Sequence, residues 1–160
     1  MDTPNYQFED FLMSVSDEYR SFVTTVNELL LQEGCKVKIV SSKTYLFSVK
    51  YTQGRKGTFN FMLRKKGLKA SVFAGNFKQY PDVINNLPES MVKQIAKTSD
   101  CKNMLSTPAC WDGCIGYDIP IKGENYQKCR FNCFQFDVDS ESAPVLLEML
   151  ENELKQRRAS

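Results

Sequence analysis

Hydrophobic residues near the start of the chain recur at intervals of three and four, as they do along one face of a helix. This spacing runs through residues 8–32, where the apolar positions are Phe11, Val15, Phe22, Val26, Leu29 and Leu30. Gly34 follows, and glycine often ends a helix because it adopts the left-handed backbone conformation at low cost. The pattern predicts an N-terminal helix that stops before Gly34, with a break near residues 14–17.

Apolar and polar residues alternate after Gly34, which is typical of half-buried strands. Four segments show this alternation: residues 36–40, 45–51, 58–64 and 68–74. The connections between them are too short for crossover helices, and short connections force neighbouring strands to be antiparallel. The pattern therefore predicts a four-stranded meander.

The second half of the chain returns to mixed signals. Two short helices are predicted over residues 81–87 and 88–97, and strands over residues 117–121 and 126–138. A final helix, capped by Asp139 and Ser140, follows with a core face of Val145, Leu146, Met149, Leu150 and Leu154. The fold class is α+β, an antiparallel meander with the N-terminal helix, the two short central helices and the C-terminal helix packed against it.

Composition limits the size and location of such a fold. The 160 residues are 42% hydrophobic, which suits a single domain over residues 1–160 with the cysteine-rich segment 101–133 inserted before the last strand. The N-terminus lacks a secretory signal, and no apolar run reaches the roughly 20 residues that span a bilayer. The protein is therefore expected to be cytoplasmic and to make no membrane contact. Thiols stay reduced in the cytoplasm.

Five of the six cysteines lie between Cys101 and Cys133, and four form two Cys-x3-Cys pairs. The pairs are Cys110/Cys114 and Cys129/Cys133, and two close pairs are the pattern of a four-thiolate zinc site, with Cys101 as a substitute ligand. Four thiolates leave no open coordination position, so this zinc would be structural. The chain also has no histidine, the usual ligand of open catalytic zinc sites.

The two cysteine pairs differ in how easily the local chain geometry lets both thiols bind one metal. Residues i and i+4 lie about 6 Å apart at Cβ in a helix, but roughly 13 Å apart in a strand, too far for one metal. Gly113 permits a compact turn between Cys110 and Cys114. Cys129 and Cys133 can share a metal only if the predicted strand turns between them.

Two other interpretations of the cysteines stay open. In the first, the thiols pack beside Trp111 and Phe134 and bind no metal. In the second, the protein is a redox protein in which either Cys110/Cys114 or Cys129/Cys133 forms a reversible disulfide. A catalytic thiol is not favoured, because no histidine base is present and Lys128 and Arg130 would point away from Cys129 in a strand. Cys35, outside the cluster, is expected to be a buried apolar residue.

Charged residues suggest two further sites, and ordinary structural roles explain both better. Basic residues at the hairpin ends, with Tyr45, Tyr51, Phe59 and Phe61, could bind single-stranded nucleic acid, but the alternating aromatics fit a core face. Asp137, Asp139 and Glu141 resemble a carboxylate cluster, but a helix start accounts for them. Nucleic acid is therefore the less favoured partner.

Three stretches of the chain resemble small uncharacterised bacterial proteins. They are the hairpin Phe-Met-Leu-Arg-Lys-Lys-Gly-Leu, the helix start Leu-Pro-Glu-Ser at residues 87–90, and the segment from Tyr126 to Phe136. In layout the chain is similar to the YdhG-like group, which as a rule lacks this cysteine cluster. The resemblance implies an α+β sheet with flanking helices and contributes no activity and no site residues.

Taken together, these patterns favour a non-enzymatic binding domain with a structural zinc on Cys110, Cys114, Cys129 and Cys133. Its expected partner is a protein or a small molecule bound across the sheet. The alternative is a thiol/disulfide redox protein, and the third hypothesis is single-stranded nucleic-acid binding through the sheet.

Overall fold

The N-terminal helical region consists of two helices. A computed structural model describes residues 5–101, 116–129 and 134–159, and its first helices are α1 (Phe8–Ser14) and α2 (Asp17–Gln32). The predicted break near residues 14–17 is confirmed. Gly34 has φ +79°, and the backbone N–H groups of Gly34 and Cys35 bond to the Leu31 and Leu30 carbonyls, which ends α2 as predicted.

The four predicted strands form an antiparallel meander. They are β1 (Lys36–Val40), β2 (Phe47–Gln53), β3 (Lys56–Arg64) and β4 (Gly67–Val72), hydrogen-bonded in chain order. The second strand begins at Phe47 rather than Tyr45, because the Tyr45 carbonyl accepts a 2.9 Å hydrogen bond from the Ser42 N–H in the preceding turn. The Tyr45 ring lies against the Arg64 guanidinium, 4.7 Å from the ring centre. The predicted meander is confirmed.

The C-terminal half adds helices and two further pieces of sheet. A short 3-10 turn (Phe77–Gln79) precedes α3 (Pro81–Asn85) and α4 (Glu89–Lys97). Strands β5 (Tyr117–Ile121) and β6 (Glu124–Lys128) form a separate hairpin, and β7 (Phe136–Asp137) pairs with β4 at the edge of the main sheet. The last helix is α5 (Ser142–Ala159).

The strand predicted over residues 126–138 is wrong as a continuous element. Its first part ends at Lys128 in the β5–β6 hairpin, and Phe136 lies opposite Ala70 in the other sheet. The alternation of Phe134, Phe136 and Val138 reflects burial against the main core, not a strand continued from Tyr126.

The core lies between one face of the main sheet and the helices. Alternate sheet residues on this face are fully buried: Val49, Tyr51, Phe59, Phe61 and Ala70. Phe11 of α1 and Phe22 of α2 contact the Phe61 ring, with ring centres 5.5 and 6.2 Å apart, and Leu146 and Leu150 of α5 complete the packing. The α+β class with helices packed against an antiparallel sheet is therefore confirmed.

Asp139, just before α5, stabilises the start of that helix. The Asp139 carboxylate accepts hydrogen bonds from the backbone N–H groups of Glu141 and Ser142, at 2.9 and 2.8 Å. Asp137 forms an ion pair with Lys69 on β4 at 3.4 Å. The predicted capping role is confirmed for Asp139, whereas the Asp137 carboxylate pairs with the sheet. Across the described parts of the chain, the helices are too short or too polar to cross a bilayer.

Candidate functional site

The described residues include one of the four predicted zinc ligands. Cys129 is half-buried just after β6, and its backbone N–H donates a 2.7 Å hydrogen bond to the Ser99 carbonyl. Cys110, Cys114 and Cys133 lie outside the described residues. β6 ends at Lys128 and β7 belongs to another sheet, so residues 126–138 do not form one continuous strand, and residues 130–133 lie outside the described residues.

Cys101 lies on a segment that runs antiparallel to the end of β6. The N–H of Cys101 donates to the Gln127 carbonyl at 2.9 Å, and Asp100 pairs with Lys128 in an isolated bridge. Successive side chains of extended segments point to opposite faces. Cys101 and Cys129 therefore project from the same face of this small sheet, and Asp100 and Lys128 from the other.

Gly116 packs tightly against Cys101 and the end of β6. A methyl group at Gly116 would lie 2.5 Å from the Cys101 Sγ and 2.7 Å from the Lys128 carbonyl oxygen, so only glycine fits. Both ends of the segment that carries Cys110 and Cys114 thus meet beside Cys129. Phe134, which follows Cys133 in sequence, packs on Tyr117 of β5, with ring centres 5.1 Å apart.

The three described cysteines are free thiols. Cys35 is buried as predicted, and burial raises the pKa of its thiol. Within residues 5–101, 116–129 and 134–159, no three Cys, Asp or Glu side chains come together in a group that could hold a metal ion.

The buried Lys128 side chain lies on the face opposite the cysteines. Its ammonium donates to the Ala96 and Thr98 carbonyls, both at 3.0 Å, and to the Asp100 carboxylate at 2.7 Å. Ala96 lies in the last turn of α4 and Thr98 is the C-cap residue that follows it, and a cation stabilises such a helix end. Lys128 therefore anchors the β5–β6 hairpin to α4 and, as expected from its sequence position, does not face Cys129.

A buried ion pair joins the end of α5 to the sheet. Glu153 accepts hydrogen bonds from the Tyr80 hydroxyl and the Asn76 amide groups, and it pairs with Arg157 at 3.4 Å. Arg157 also donates to Thr58 at 2.8 Å and to the carbonyls of Gly57 and Phe73. Burial and the hydrogen bond to Glu153 both raise the pKa of Tyr80, so this phenol stays protonated at neutral pH.

A cavity of about 620 Å³ opens beside this ion pair. Polar side chains form much of its lining: Lys56, Asn76, Gln79, Glu153, Gln156 and Arg157. The donors and acceptors of Glu153 and Arg157 are already used within the protein. Their arrangement is that of a structural clamp between α5 and the sheet, not of groups held ready for a ligand.

The outer face of the main sheet carries a group of lysines, here named the lysine face: Lys36, Lys38, Lys50 and Lys69. The strand register places Lys38 directly opposite Lys50, and Lys50 opposite Asn60. Lys69 is paired with Asp137, whereas among the described residues no carboxylate lies within 4 Å of the other three. The face therefore carries a net positive charge.

Three of the four aromatic residues considered for base stacking lie on the other side of the sheet, whereas Tyr45 precedes β2 and lies against Arg64. Tyr51, Phe59 and Phe61 are fully buried under the helices, and Tyr51 donates a 2.7 Å hydrogen bond to Asn27 of α2. Their interpretation as a core face is confirmed. Among the described residues, these three buried rings are not available beside the lysine face for base stacking.

Sequence reasoning missed the Glu153–Arg157 pair and the role of Lys128, although a signal for the pair exists. Positions 153 and 157 continue the apolar stripe of α5 beyond Leu146, Met149 and Leu150. Charged residues at core positions of a helix need buried partners. The buried partners of Glu153 are Tyr80 and Asn76. Both lie far from Glu153 in sequence, and no sequence pattern identifies them as its partners.

Comparison of the chain with protein-family models, with curated proteins and with solved structures gave no match.

Proposed function

We propose that the protein is a non-enzymatic binding domain that holds an acidic protein partner on the lysine face. The observation that carries the proposal is the register, which sets Lys38 directly opposite Lys50. Like charges that face each other across two strands destabilise a sheet. A bound partner with carboxylates would neutralise this repulsion and turn it into binding energy.

The position of the lysines supports a binding role over simple edge protection. Lysines on an exposed edge strand discourage aggregation, which accounts for Lys36 and Lys38 on β1. Lys50 lies on β2, an interior strand that is hydrogen-bonded on both sides, and needs no such protection. Lys50 adds electrostatic repulsion with Lys38, and the binding of an acidic ligand would relieve this repulsion.

Replacing Lys38 with glutamate is expected to raise stability and to weaken binding. The new carboxylate would face the Lys50 ammonium, and an opposite-charge pair in place of a like-charge pair stabilises a sheet by about 0.5 kcal/mol. Urea denaturation measures this gain. Reversal of both Lys38 and Lys50 should weaken the binding of a fluorescent glutamate-rich peptide by about tenfold.

Lys97 and Lys155 provide the matched control, because both are exposed on helices and neither belongs to the lysine face. Their reversal changes the net charge equally and should leave peptide affinity unchanged. Equal losses in the two double variants would show a non-specific charge effect and reject the proposal. Tighter, salt-dependent binding of a single-stranded oligonucleotide than of the peptide would instead favour nucleic acid.

We further propose that a structural zinc holds the cysteine-rich segment, in a reducing compartment such as the cytoplasm. Its ligands are Cys110, Cys114, Cys129 and Cys133, of which Cys129 lies in the described residues. Support comes from the meeting of Cys101, Gly116 and Cys129, which brings the ends of the segment that carries Cys110 and Cys114 to Cys129. The shared face of Cys101 and Cys129 keeps Cys101 as the substitute ligand.

Protein purified without chelator is expected to contain one equivalent of zinc. Removal of the metal should lower the stability of the folded state, because zinc binds the folded thiolates far more tightly than the unfolded chain. Metal analysis and thermal unfolding with and without a chelator measure both effects. Absence of zinc together with rapid loss of two thiols under mild oxidation would reject this site and favour the redox alternative.

A further inference from the structure

We propose that the acidic partner binds by adding an antiparallel strand to the outer edge of β1, with acidic and apolar residues in alternation. The inference rests on the proposed function of the lysine face and specifies how the partner is held. Addition of a strand to an open sheet edge uses backbone hydrogen bonds for affinity and side-chain pockets for specificity.

The outer edge of β1 is open within the described residues. This strand ends the sheet, in the order β1-β2-β3-β4-β7, and its ladder partner is β2. Its residues make no further backbone hydrogen bond to the described turns and loops. A row of backbone donors and acceptors is thus available to another strand.

The β2–β3 turn determines which backbone groups point outward. Gln53 and Lys56 flank a two-residue turn, and residues in that position bond to each other. Along an antiparallel strand, the backbone N–H and C=O groups of successive residues point to opposite sides of the strand. The backbone groups of Thr52 and Lys50 therefore bond toward β1, where these residues pair with Lys36 and Lys38. The N–H and C=O groups of Val37 and Ile39 therefore face away from β2, toward the open edge.

The two sides of this edge differ in chemistry. Lys36 and Lys38 project onto the lysine face, and Val37 and Ile39 project onto the helix side of the sheet. On the helix side a groove of about 790 Å³ runs between residues 5–9, α2 and β1. Leu31 and Val37 line it and are 48% and 38% exposed, which is high for such apolar side chains.

An added strand would meet both surfaces at once. Residues opposite Val37 and Ile39 would place their side chains over the groove, and residues opposite Lys36 and Lys38 would face the ammonium groups. Apolar residues suit the first positions and acidic residues the second. Charge complementarity with the lysines thus selects an extended peptide of alternating acidic and apolar residues.

A second copy of this chain fits the edge poorly. Two β1 strands paired antiparallel about Lys38 would set Lys38 opposite Lys38, with Lys36 beside them on the same face. Such like-charge pairs oppose association. The lysines that reject self-pairing are the same ones that attract an acidic strand.

The experiment uses a fluorescent peptide of repeating Glu-Val dipeptides and two N-methylated versions of it. In the proposed complex the valine amides point toward β1, and the glutamate amides point to solvent. N-methylation of the valines should therefore weaken binding to the full-length protein by about tenfold, through loss of hydrogen bonds. N-methylation of the glutamates, the matched control, should change affinity little.

Two variants of the protein test the same edge. Val37→Pro removes an outward N–H and keeps the ladder to β2, whereas Val37→Thr has a similar shape and keeps the N–H. Only the proline variant should lose peptide binding. If it fails to fold, the pair of methylated peptides decides the question.

The outcomes separate the two proposals. Equal binding of both methylated peptides, with binding still weakened by reversal of Lys38 and Lys50, would reject strand addition and keep the lysine face. Failure of the parent peptide to bind, or binding that ignores the lysine reversals, would reject both. Loss of binding confined to the valine-methylated peptide and Val37→Pro would support both.

Discussion

Replacement of Arg157 with methionine is expected to destabilise the folded protein by about 3–5 kcal/mol, the usual cost of removing one partner of a buried ion pair. Glu153 would stay buried with its charge, with Tyr80 and Asn76 as its remaining partners among the described residues. The bonds from Arg157 to Thr58, Gly57 and Phe73 would also be lost. Urea denaturation at neutral pH measures the change in the free energy of unfolding.

A second substitution shows whether the unpaired charge of Glu153 causes the loss of stability. Glu153→Gln removes the charge and keeps the shape, so the double variant Arg157→Met/Glu153→Gln should be more stable than Arg157→Met alone. Simple addition of the two separate losses would contradict this explanation, because coupled partners are not additive. In that case the lost anchoring of α5 to the sheet would account for the whole effect.

Alanine at Gly116 is expected to cost about 3 kcal/mol or more, as overpacking of a tight contact does. Its methyl group would overlap the Cys101 side chain and the Lys128 carbonyl oxygen. Neither the backbone oxygen nor the short cysteine side chain can move away cheaply. The loss should therefore appear in thermal unfolding, and zinc content should fall with it if this junction holds the metal-binding segment.

Gly57 offers a matched control. A methyl group there would meet the edge of the Phe73 ring at 3.2 Å, and that side chain can shift by a few tenths of an ångström. Gly57→Ala should thus cost clearly less than Gly116→Ala. Adding Cys101→Ala to the Gly116 variant should recover only part of the loss, since the contacts with Cβ and with the Lys128 oxygen remain. Similar losses at Gly57 and Gly116 would disprove the tight junction.

The main sheet and its helices could be predicted because each follows one simple period. The stripe through Phe11, Val26 and Leu30 repeats every three to four residues, and β2 alternates between apolar and polar residues from Phe47 to Thr52. Their short connections leave one arrangement, the antiparallel meander. The alternation also separated the buried aromatics from the exposed lysines, which the strand register then brought together as a surface.

Long-range pairings could not be predicted, because they leave no periodic signal. The pairing of Phe136 with Ala70 depends on how the chain returns after two helices and a hairpin, and the alternation around it suggested a longer strand. The partners of Glu153 and Lys128 lie many residues away in sequence. For the cysteines, spacing revealed the pairs, but the position of Cys101 beside the end of β6 required the fold.

The short pairing of β4 with β7 bears on the order in which the molecule folds. The hairpins from β1 to β4 close small loops, whereas β7 can join only after all of residues 73–135 has been brought back to the sheet edge. Closing so long a loop loses more chain entropy than closing a hairpin, and two paired residues return little of it. The meander can therefore form early, and the docking of β7 is a late, slow step that depends on the hairpin and helices between them.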